Sequence, residues 1–167
     1  MHRILVPLLT AFLISVSSSA IASGIAGIDI PEIVNKIPQK KAIEDKLNRE
    51  FGGQIAELKK MEKEMQALID KGERDSALMS EKQRLDLKRK LEDLNATYKV
   101  KGKAFTEDNR RRQLEERDKL LTMIKKASAQ VAEREGYDAV VDINVTAYLN
   151  PKRDITEKVI TEMTRMK

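Results

Sequence analysis

Apolar residues recur at every third or fourth position from 39 to 135, in a stretch that is dense in charge and contains no proline. This spacing places them on one face of a helix, and it lies between the heptad repeat and the period of an ideal helix. One local break, centred on Gly72, interrupts the stretch. The pattern predicts two long helices folded against each other, with a tip near 71–76 and with Asp75 or Ser76 as the cap of the returning helix.

The first predicted helix, from 39 to 70, has a single apolar seam and two glycines inside it. Gly52 and Gly53 each cost a helix about 1 kcal/mol relative to alanine. We interpret them either as tolerated weakness or as a hinge near the base of this arm. The seam residues are Ile43, Leu47, Phe51, Ile55, Leu58, Met61, Met65 and Leu68. The returning helix carries Leu78, Leu87, Leu91, Leu94, Tyr98, Phe105, Leu114, Leu121, Ile124 and Val131.

The segments on either side of the hairpin, 23–38 and 136–167, follow a different pattern and are predicted to form a β-rich association domain. Short β-branched runs predict strands at Ile25–Ile30, Tyr137–Ile143 and Val145–Leu149. Strands at both ends of the hairpin would pair at its base. A few short strands make a poor isolated core, so we expect the chain to associate with copies of itself.

Short helices complete this domain. Pro31 can open a brief helix that stops at Pro38, and Gly136 is a typical residue to end the long returning helix. Asp154 is predicted to cap a last helix that runs from 155 to about 166. The apolar face of that helix consists of Ile155, Val159, Ile160 and Met163.

The first 22 residues have the pattern of a signal peptide. A basic start is followed by an apolar run from Ile4 to Val16 and by the small-residue site Ala20-Ile21-Ala22. An uncleaved membrane anchor is the alternative, but the run is shorter than the roughly 20 residues that a membrane span needs. We expect cleavage after Ala22 and export to the periplasm.

The composition excludes several function classes. Charged residues make up 35% of the chain and aromatic residues only 4%, so little apolar surface is available for a thick core. There is no cysteine, and the one histidine, His2, lies in the predicted signal peptide. Histidine-based acid–base catalysis and zinc sites built from cysteine or histidine are therefore excluded. A carboxylate-only hydrolase and a metal site with oxygen ligands stay open as alternatives, but neither has a recognisable spacing in this sequence. No phosphate-binding G-x-x-x-x-G-K-[ST] motif occurs, and we expect neither an enzyme nor a cofactor.

Short motifs along the chain resemble those of the Skp/OmpH family of periplasmic chaperones. The resemblance extends over essentially the whole chain after the signal segment. The joint order of strand, hairpin, strands and terminal helix is more specific than coiled-coil similarity alone. The matching motifs are Gly27-Ile28-Asp29, Glu50-Phe51, Ala56-Glu57-Leu58, Lys101 to Phe105, Asp108 to Arg112, Glu115-Glu116-Arg117, Val140-Val141-Asp142, Ala147-Tyr148 and Asp154-Ile155-Thr156.

The resemblance implies a homotrimer shaped like a jellyfish, in which helical hairpins hang from a β-rich hub and surround a central cavity. It implies an ATP-independent holdase that keeps unfolded outer-membrane proteins from aggregating and aids their delivery to the outer membrane. By the same resemblance, Lys101, Arg111 and Arg112 match the family's proposed lipopolysaccharide-binding cluster. Lipopolysaccharide or an anionic membrane surface is therefore a second expected partner.

Candidate contacts for an unfolded client lie toward the tip of the hairpin. Flexible methionine side chains adapt to varied shapes, and positive charge attracts acidic clients over about 8 Å at physiological salt. Packing between the arms would equally explain the methionines, and solvated ion pairs would explain the charges, so both interpretations stay open. The candidates are Met61, Met65, Met79, Lys71 and Arg74.

Two other functions fit the same helical pattern. A structural spacer of the cell envelope would use the arms only as rods and would bind no client. A nucleic-acid-binding coiled coil is permitted by the sequence pI of about 9.3. Predicted export and the few scattered aromatic residues argue against it, because single-stranded nucleic acid is usually bound on stacking platforms.

Overall fold

Two long helices on a small base of strands and short helices make up the computed structural model, which describes residues 24–166. The predicted signal peptide, 1–22, lies outside the described residues. The elements in chain order are β1 (Ile25–Ile28), α1 (Ile30–Lys36), α2 (Pro38–Asp75), α3 (Glu81–Glu135), β2 (Ala139–Asp142), two 3₁₀ turns (Ile143–Val145 and Pro151–Arg153) and α4 (Thr156–Arg165). The predicted fold class, a mainly helical hairpin on a small β hub, is confirmed.

The first arm starts directly after α1, with Ile37 as the one residue between the two helices. Asp29 caps α1 by accepting a hydrogen bond from the Glu32 N–H at 2.9 Å. Ile37 is extended, and Pro38 is the first residue of α2. The fixed φ and missing N–H of proline suit that position. Pro38 therefore ends α1, as the sequence predicts, and also begins the arm.

The turn between the arms lies at 76–80, later along the chain than the predicted tip near 71–76. Ser80 caps α3 by accepting a hydrogen bond from the Gln83 N–H at 3.3 Å. In return, the Ser80 N–H donates to Gln83 Oε1 at 2.8 Å. This capping box satisfies two N–H groups that the start of a helix would otherwise leave unpaired. It therefore fixes the start of the second arm.

The residues that the sequence pattern assigned to the turn lie at the end of α2 instead. Gly72 is inside α2, so the predictions that it marks the turn and that Asp75 or Ser76 caps the returning helix were wrong. The position of Leu87 in α3 explains the glycine, since a Cβ on Gly72 would lie 3.1 Å from Leu87 Cδ2. Gly72 lets the two arms approach closely near the tip.

The two ends of the chain meet at the base of the arms, as the sequence predicts. Gly136 ends α3 in the left-handed conformation, with φ of 76°. The strands β1 and β2 then pair in parallel, with Ile25 opposite Ala139 and Ile28 opposite Asp142. Parallel neighbours need a long connection, and in this chain α1 and the hairpin of arms form that connection.

The predicted strand at Val145–Leu149 was wrong. The chain enters a 3₁₀ turn at Ile143–Val145, and both Val145 and Tyr148 are exposed. A strand needs a neighbour to complete its backbone hydrogen bonds. Among residues 24–166, the sheet consists of β1 and β2 alone, so β-branched sequence is not enough to make this segment a third strand.

The hydrophobic core lies at the base of the arms, where α1, α4 and the C-terminal part of α3 pack together. The predicted apolar face of α4 is confirmed: Ile155, Val159 and Met163 are buried, and Ile160 packs against them. The largest fully buried side chains are Ile33, Ile124, Val131, Ile155, Val159 and Met163. None of the helices within the described range combines the length and hydropathy that crossing a membrane requires.

Candidate functional site

The two arms are joined by a thin apolar seam and by polar contacts on its flanks. Phe51 and Phe105 meet edge to face, with ring centroids 5.7 Å apart. Phe51 and Met61 are the buried residues of α2. Farther toward the tip, Tyr98 donates a hydrogen bond to Glu62 across the seam. Most of the arm surface is therefore exposed.

A cluster of charged residues connects the arms near their base. Arg112 of α3 grips Glu50 of α2 with two hydrogen bonds, at 2.7 Å from Nε and 3.1 Å from Nη2. It also donates to Glu115 and, at 3.1 Å, to Glu116. Glu116 in turn accepts from Lys46 of α2 at 2.9 Å. We call this set the arm-base cluster; its members are Lys46, Glu50, Arg112, Glu115, Glu116 and Lys119.

Opposite charges within the arm-base cluster lower the pKa values of its carboxyl groups. The hydrogen bond from Lys46 is the largest cause, and the pKa of Glu116 falls to about 2. The hydrogen bonds from Arg112 lower the pKa of Glu50 and that of Glu115. The bond to Glu50 is also the main reason that the pKa of Arg112 is raised. Glu116 therefore stays charged well into the acidic range, where it can still pair with Lys46 of the other arm.

Of the three residues of the expected lipopolysaccharide site, Arg111 and Arg112 share Glu115 as a partner, whereas Lys101 lies apart from them. Lys101 pairs with Glu57 across the seam at 2.7 Å, and Arg111 pairs with Asp108 on its own helix at 2.7 Å. The helical rise places Lys101 about 15 Å from Arg111 along α3. Lys101 and Arg111 are 45% and 61% exposed, whereas Arg112 is 16% exposed inside the arm-base cluster.

The candidate client contacts divide into a tip group and a seam group. Lys71 and Met79 line a groove of about 510 Å³ at the tip. Arg74 lies nearby on α2 and pairs at 2.9 Å with the residue that follows it. Met61 is buried and Met65 half-buried, both between the arms. The structure therefore places Lys71 and Met79 together, and it places Met61 and Met65 in the seam.

The sequence pattern alone misplaces Leu78, which lies at the tip of the hairpin. The apolar spacing assigned it to the seam of the returning helix, but it lies in the turn and its side chain is 89% exposed. The signal that identifies it is the capping box of Ser80 and Gln83. Because that motif starts the helix at residue 81, it places Leu78 outside the helix.

Three glycines of the arms have room for a side chain. A Cβ built on Gly52, Gly53 or Gly102 meets no other residue within 4 Å. Gly102 follows Lys101, whose partner Glu57 lies about one helical turn beyond Gly53. The two helices therefore carry glycines at nearly the same level, that is, at a similar distance from the base of the arms. No contact at these positions requires a glycine.

The base carries apolar surface that the single chain leaves open. One groove of about 560 Å³ lies between α3 and β2. Another, of about 420 Å³, lies between α1 and the two arms. Ile25, Val145 and Tyr148 are exposed apolar side chains of the same base. Apolar surface that a single chain leaves exposed is typical of an interaction site where it forms a large patch.

Comparison with known proteins gives a consistent result over nearly the whole described chain. The family described as "Outer membrane protein (OmpH-like)" matches residues 24–163. The protein named "Chaperone protein Skp" from Yersinia enterocolitica is 36% identical over 90% of this chain and 92% of its own length. The protein of the same name from Vibrio cholerae is 33% identical over 89% of this chain and 91% of its own length. A solved OmpH-like protein from Caulobacter crescentus has the same fold, with a TM-score of 0.70 at 14% identity over 87% of this chain and 86% of that one.

Proposed function

The chain belongs to the Skp/OmpH family. From that membership we propose that it is a periplasmic chaperone. It acts as a holdase without ATP: it binds unfolded outer-membrane proteins between helical arms, prevents their aggregation and aids their delivery to the outer membrane. The observation that carries this proposal is the hairpin of α2 and α3, whose thin seam leaves nearly the whole length of both helices open to contact.

The proposed mechanism relies on many weak contacts. A protein that binds an unfolded chain lowers its free concentration by mass action, and this slows aggregation. Exposed arm surfaces with mixed charges and a few apolar side chains suit varied clients better than one shaped pocket does. Among the candidate contacts, Met79, Lys71 and Arg74 are available at the tip. Met61 is the least available, because it is buried in the seam.

Self-association into a trimer accounts for the open apolar surface at the base. The grooves beside α3 and α1, with Ile25, Val145 and Tyr148, would be covered by neighbouring copies. Several hairpins would then leave one hub and surround a shared cavity. The segment Val145–Leu149, which lacks a strand partner in the single chain, would lie at that contact.

Binding of lipopolysaccharide or of an anionic membrane surface is a further part of the proposal. Lys101 and Arg111 have exposed side chains that could turn toward phosphate groups. Arg112 would first have to leave Glu50, Glu115 and Glu116. We therefore expect Arg112 to contribute least to any phosphate contact.

A hinge in the arms would adapt the cavity to clients of different size. Gly52 and Gly53 in α2, with Gly102 in α3, lower helix stability at one level of the arm. A Cβ at any of these three positions would meet nothing within 4 Å. The arm-base cluster and the contact between Phe51 and Phe105 lie on the base side of this level, so the outer part of the arm is the part that would bend.

Dilution of a urea-unfolded outer-membrane barrel protein tests the proposed function. Light scattering should fall when the chain without its first 22 residues is present, and the complex should contain several copies of the chain per client. A structural spacer predicts unchanged scattering, and that result would refute the chaperone proposal.

A further inference from the structure

The tip of the hairpin presents an apolar side chain that nothing else in the described chain covers. Leu78 is 89% exposed, the highest value among the large apolar residues of the described chain, and Val145 in the base follows at 85%. The exposure does not result from a frayed end. The N–H groups of Leu78 and Met79 both donate to the Asp75 carbonyl, at 2.9 and 3.1 Å. The capping box at Ser80 holds the other side of the turn.

A groove lined by both apolar and charged side chains lies directly beside Leu78. Its volume is about 510 Å³, and its apolar lining comes from Leu68, Leu78, Met79 and Leu87. Leu87 packs down against Gly72, where a Cβ would lie only 3.1 Å away. The absent side chain at Gly72 therefore allows Leu87 to sit deep between the arms. This leaves a depression in which an apolar side chain of a partner can be buried.

The charges around the groove are balanced. Lys71 and Lys90 line it together with Asp75 and Asp86. Two of these four are already paired outside the groove, since Lys90 contacts Glu64 at 3.2 Å and Asp75 contacts Arg74 at 2.9 Å. These four charges sum to zero at the rim itself, whereas residues 71–90 as a whole carry seven lysines and arginines against four acidic residues. The rim therefore suits a segment whose polar groups can meet either sign of charge.

We propose that this tip groove binds apolar side chains of unfolded polypeptide, with Leu78 as its principal contact residue; the inference rests on the proposed chaperone function. The strands of an outer-membrane barrel alternate apolar and polar residues. One apolar side chain of such a segment enters the groove between Leu68 and Leu87 and packs on Leu78. Its polar neighbours, which point away, meet the mixed charges of the rim. Each tip thus adds one weak contact at the far end of the arm.

The test compares two serine substitutions of exposed apolar residues in the otherwise intact chain. Leu78→Ser removes the proposed contact. Val100→Ser is the matched control, because Val100 is 70% exposed on α3 and does not line the groove. The probe is a fluorescent, uncharged peptide with alternating apolar and polar residues, and its affinity is measured by anisotropy. Leu78→Ser should weaken binding by about five- to tenfold, the effect expected for losing one partly buried leucine contact.

The remaining outcomes separate the tip site from the overall function. Unchanged affinity in Leu78→Ser, or an equal loss in Val100→Ser, overturns the tip site while leaving the chaperone proposal standing if the unmodified chain still suppresses aggregation. Failure of the unmodified chain to bind either the peptide or an unfolded barrel protein overturns both. If Leu78→Ser loses binding only to phosphatidylglycerol vesicles, the tip is a membrane contact and the polypeptide site is refuted. Leu78→Met, which keeps an apolar chain, should retain peptide binding.

Discussion

The glycines of the arms allow a quantitative test, because the structure assigns them different surroundings. Gly52 and Gly53 lie inside α2, and a Cβ at either position would contact nothing within 4 Å. Alanine at an open position in a helix interior is favoured over glycine by about 1 kcal/mol. The double variant Gly52→Ala/Gly53→Ala should therefore be about 2 kcal/mol more stable toward unfolding, if the two effects are additive.

Two other glycines serve as controls of the same chemical change. A Cβ on Gly72 would lie 3.1 Å from Leu87 Cδ2, so Leu87 has to shift and Gly72→Ala should gain less than Gly52→Ala. A Cβ on Gly27 would lie 2.1 Å from Leu149 and 2.6 Å from Ile143. Gly27→Ala should therefore be strongly destabilising, because the base has no space for the added atom.

The assay is urea unfolding followed by circular dichroism at one fixed chain concentration, since the proposed self-association would make stability concentration-dependent. A gain of about 2 kcal/mol corresponds to a midpoint shift of about 1 M for a slope near 2 kcal/mol per molar urea. No gain in the double variant, with Gly27→Ala still destabilising, would refute the claim that α2 is regular and open at this level.

The variant Gly52→Ala/Gly53→Ala also distinguishes a hinge at these glycines from a locally weak helix that the fold tolerates. Both interpretations predict higher stability, but only a hinge predicts that the arms become stiffer. Distances between spin labels at the tip and the base should then narrow in distribution, and large unfolded clients should bind less well than small ones. A stabilised variant with an unchanged distance distribution would leave tolerated weakness as the explanation of both glycines.

The charged clusters and the base provide three more tests. The pKa of Glu116 falls from 4.5 to about 2, so its ion pairs stabilise the fold above the unfolded pKa and this contribution is lost as the pH falls toward 2. The urea midpoint should therefore fall less steeply in Glu116→Gln than in the unmodified chain between about pH 5 and pH 2, and equal slopes would contradict this. Replacing Lys101, Arg111 and Arg112 together by alanine should weaken binding to immobilised lipopolysaccharide and leave the oligomer mass unchanged; unaltered binding would exclude the cluster. Tyr148→Ser should lower the assembly mass in native mass spectrometry, and an unchanged mass would place the self-contact elsewhere.

The sequence predicts the features of this fold that depend on local pattern. The long apolar repeat identifies both arms, and Gly136 ends the second arm as expected. The tip was misplaced because Gly72 has the residue type of a turn but the environment of a close helix contact. The strand predicted at Val145–Leu149 has the right residue types, but within residues 24–166 it has no partner. In both cases the deciding factor was a neighbour distant in sequence.

The same limit applies to the charged residues of the candidate site. The run from Asp108 to Arg112 resembles a ligand-binding motif, and its pairing with Glu50 depends on the register between two helices. That register cannot be inferred from spacing within either helix alone. Once it is known, Lys101 and Arg111 remain exposed, while Arg112 is bound to three carboxylates. Sequence similarity therefore indicates the region, and the structure distinguishes the residues within it.

The order of features along the arm determines what Arg112 can do. Outward from the core, the arm-base cluster comes first, then the contact between Phe51 and Phe105, and then the glycine level. The contacts on the base side of these glycines join α2 directly to α3. If Arg112 bound a phosphate in place of its carboxylate partners, its link from α3 to Glu50 of α2 would be lost. The proposed hinge requires this link to stay intact, and Arg112 already contacts three carboxylates, so Arg112 is better suited to joining the arms than to binding a ligand.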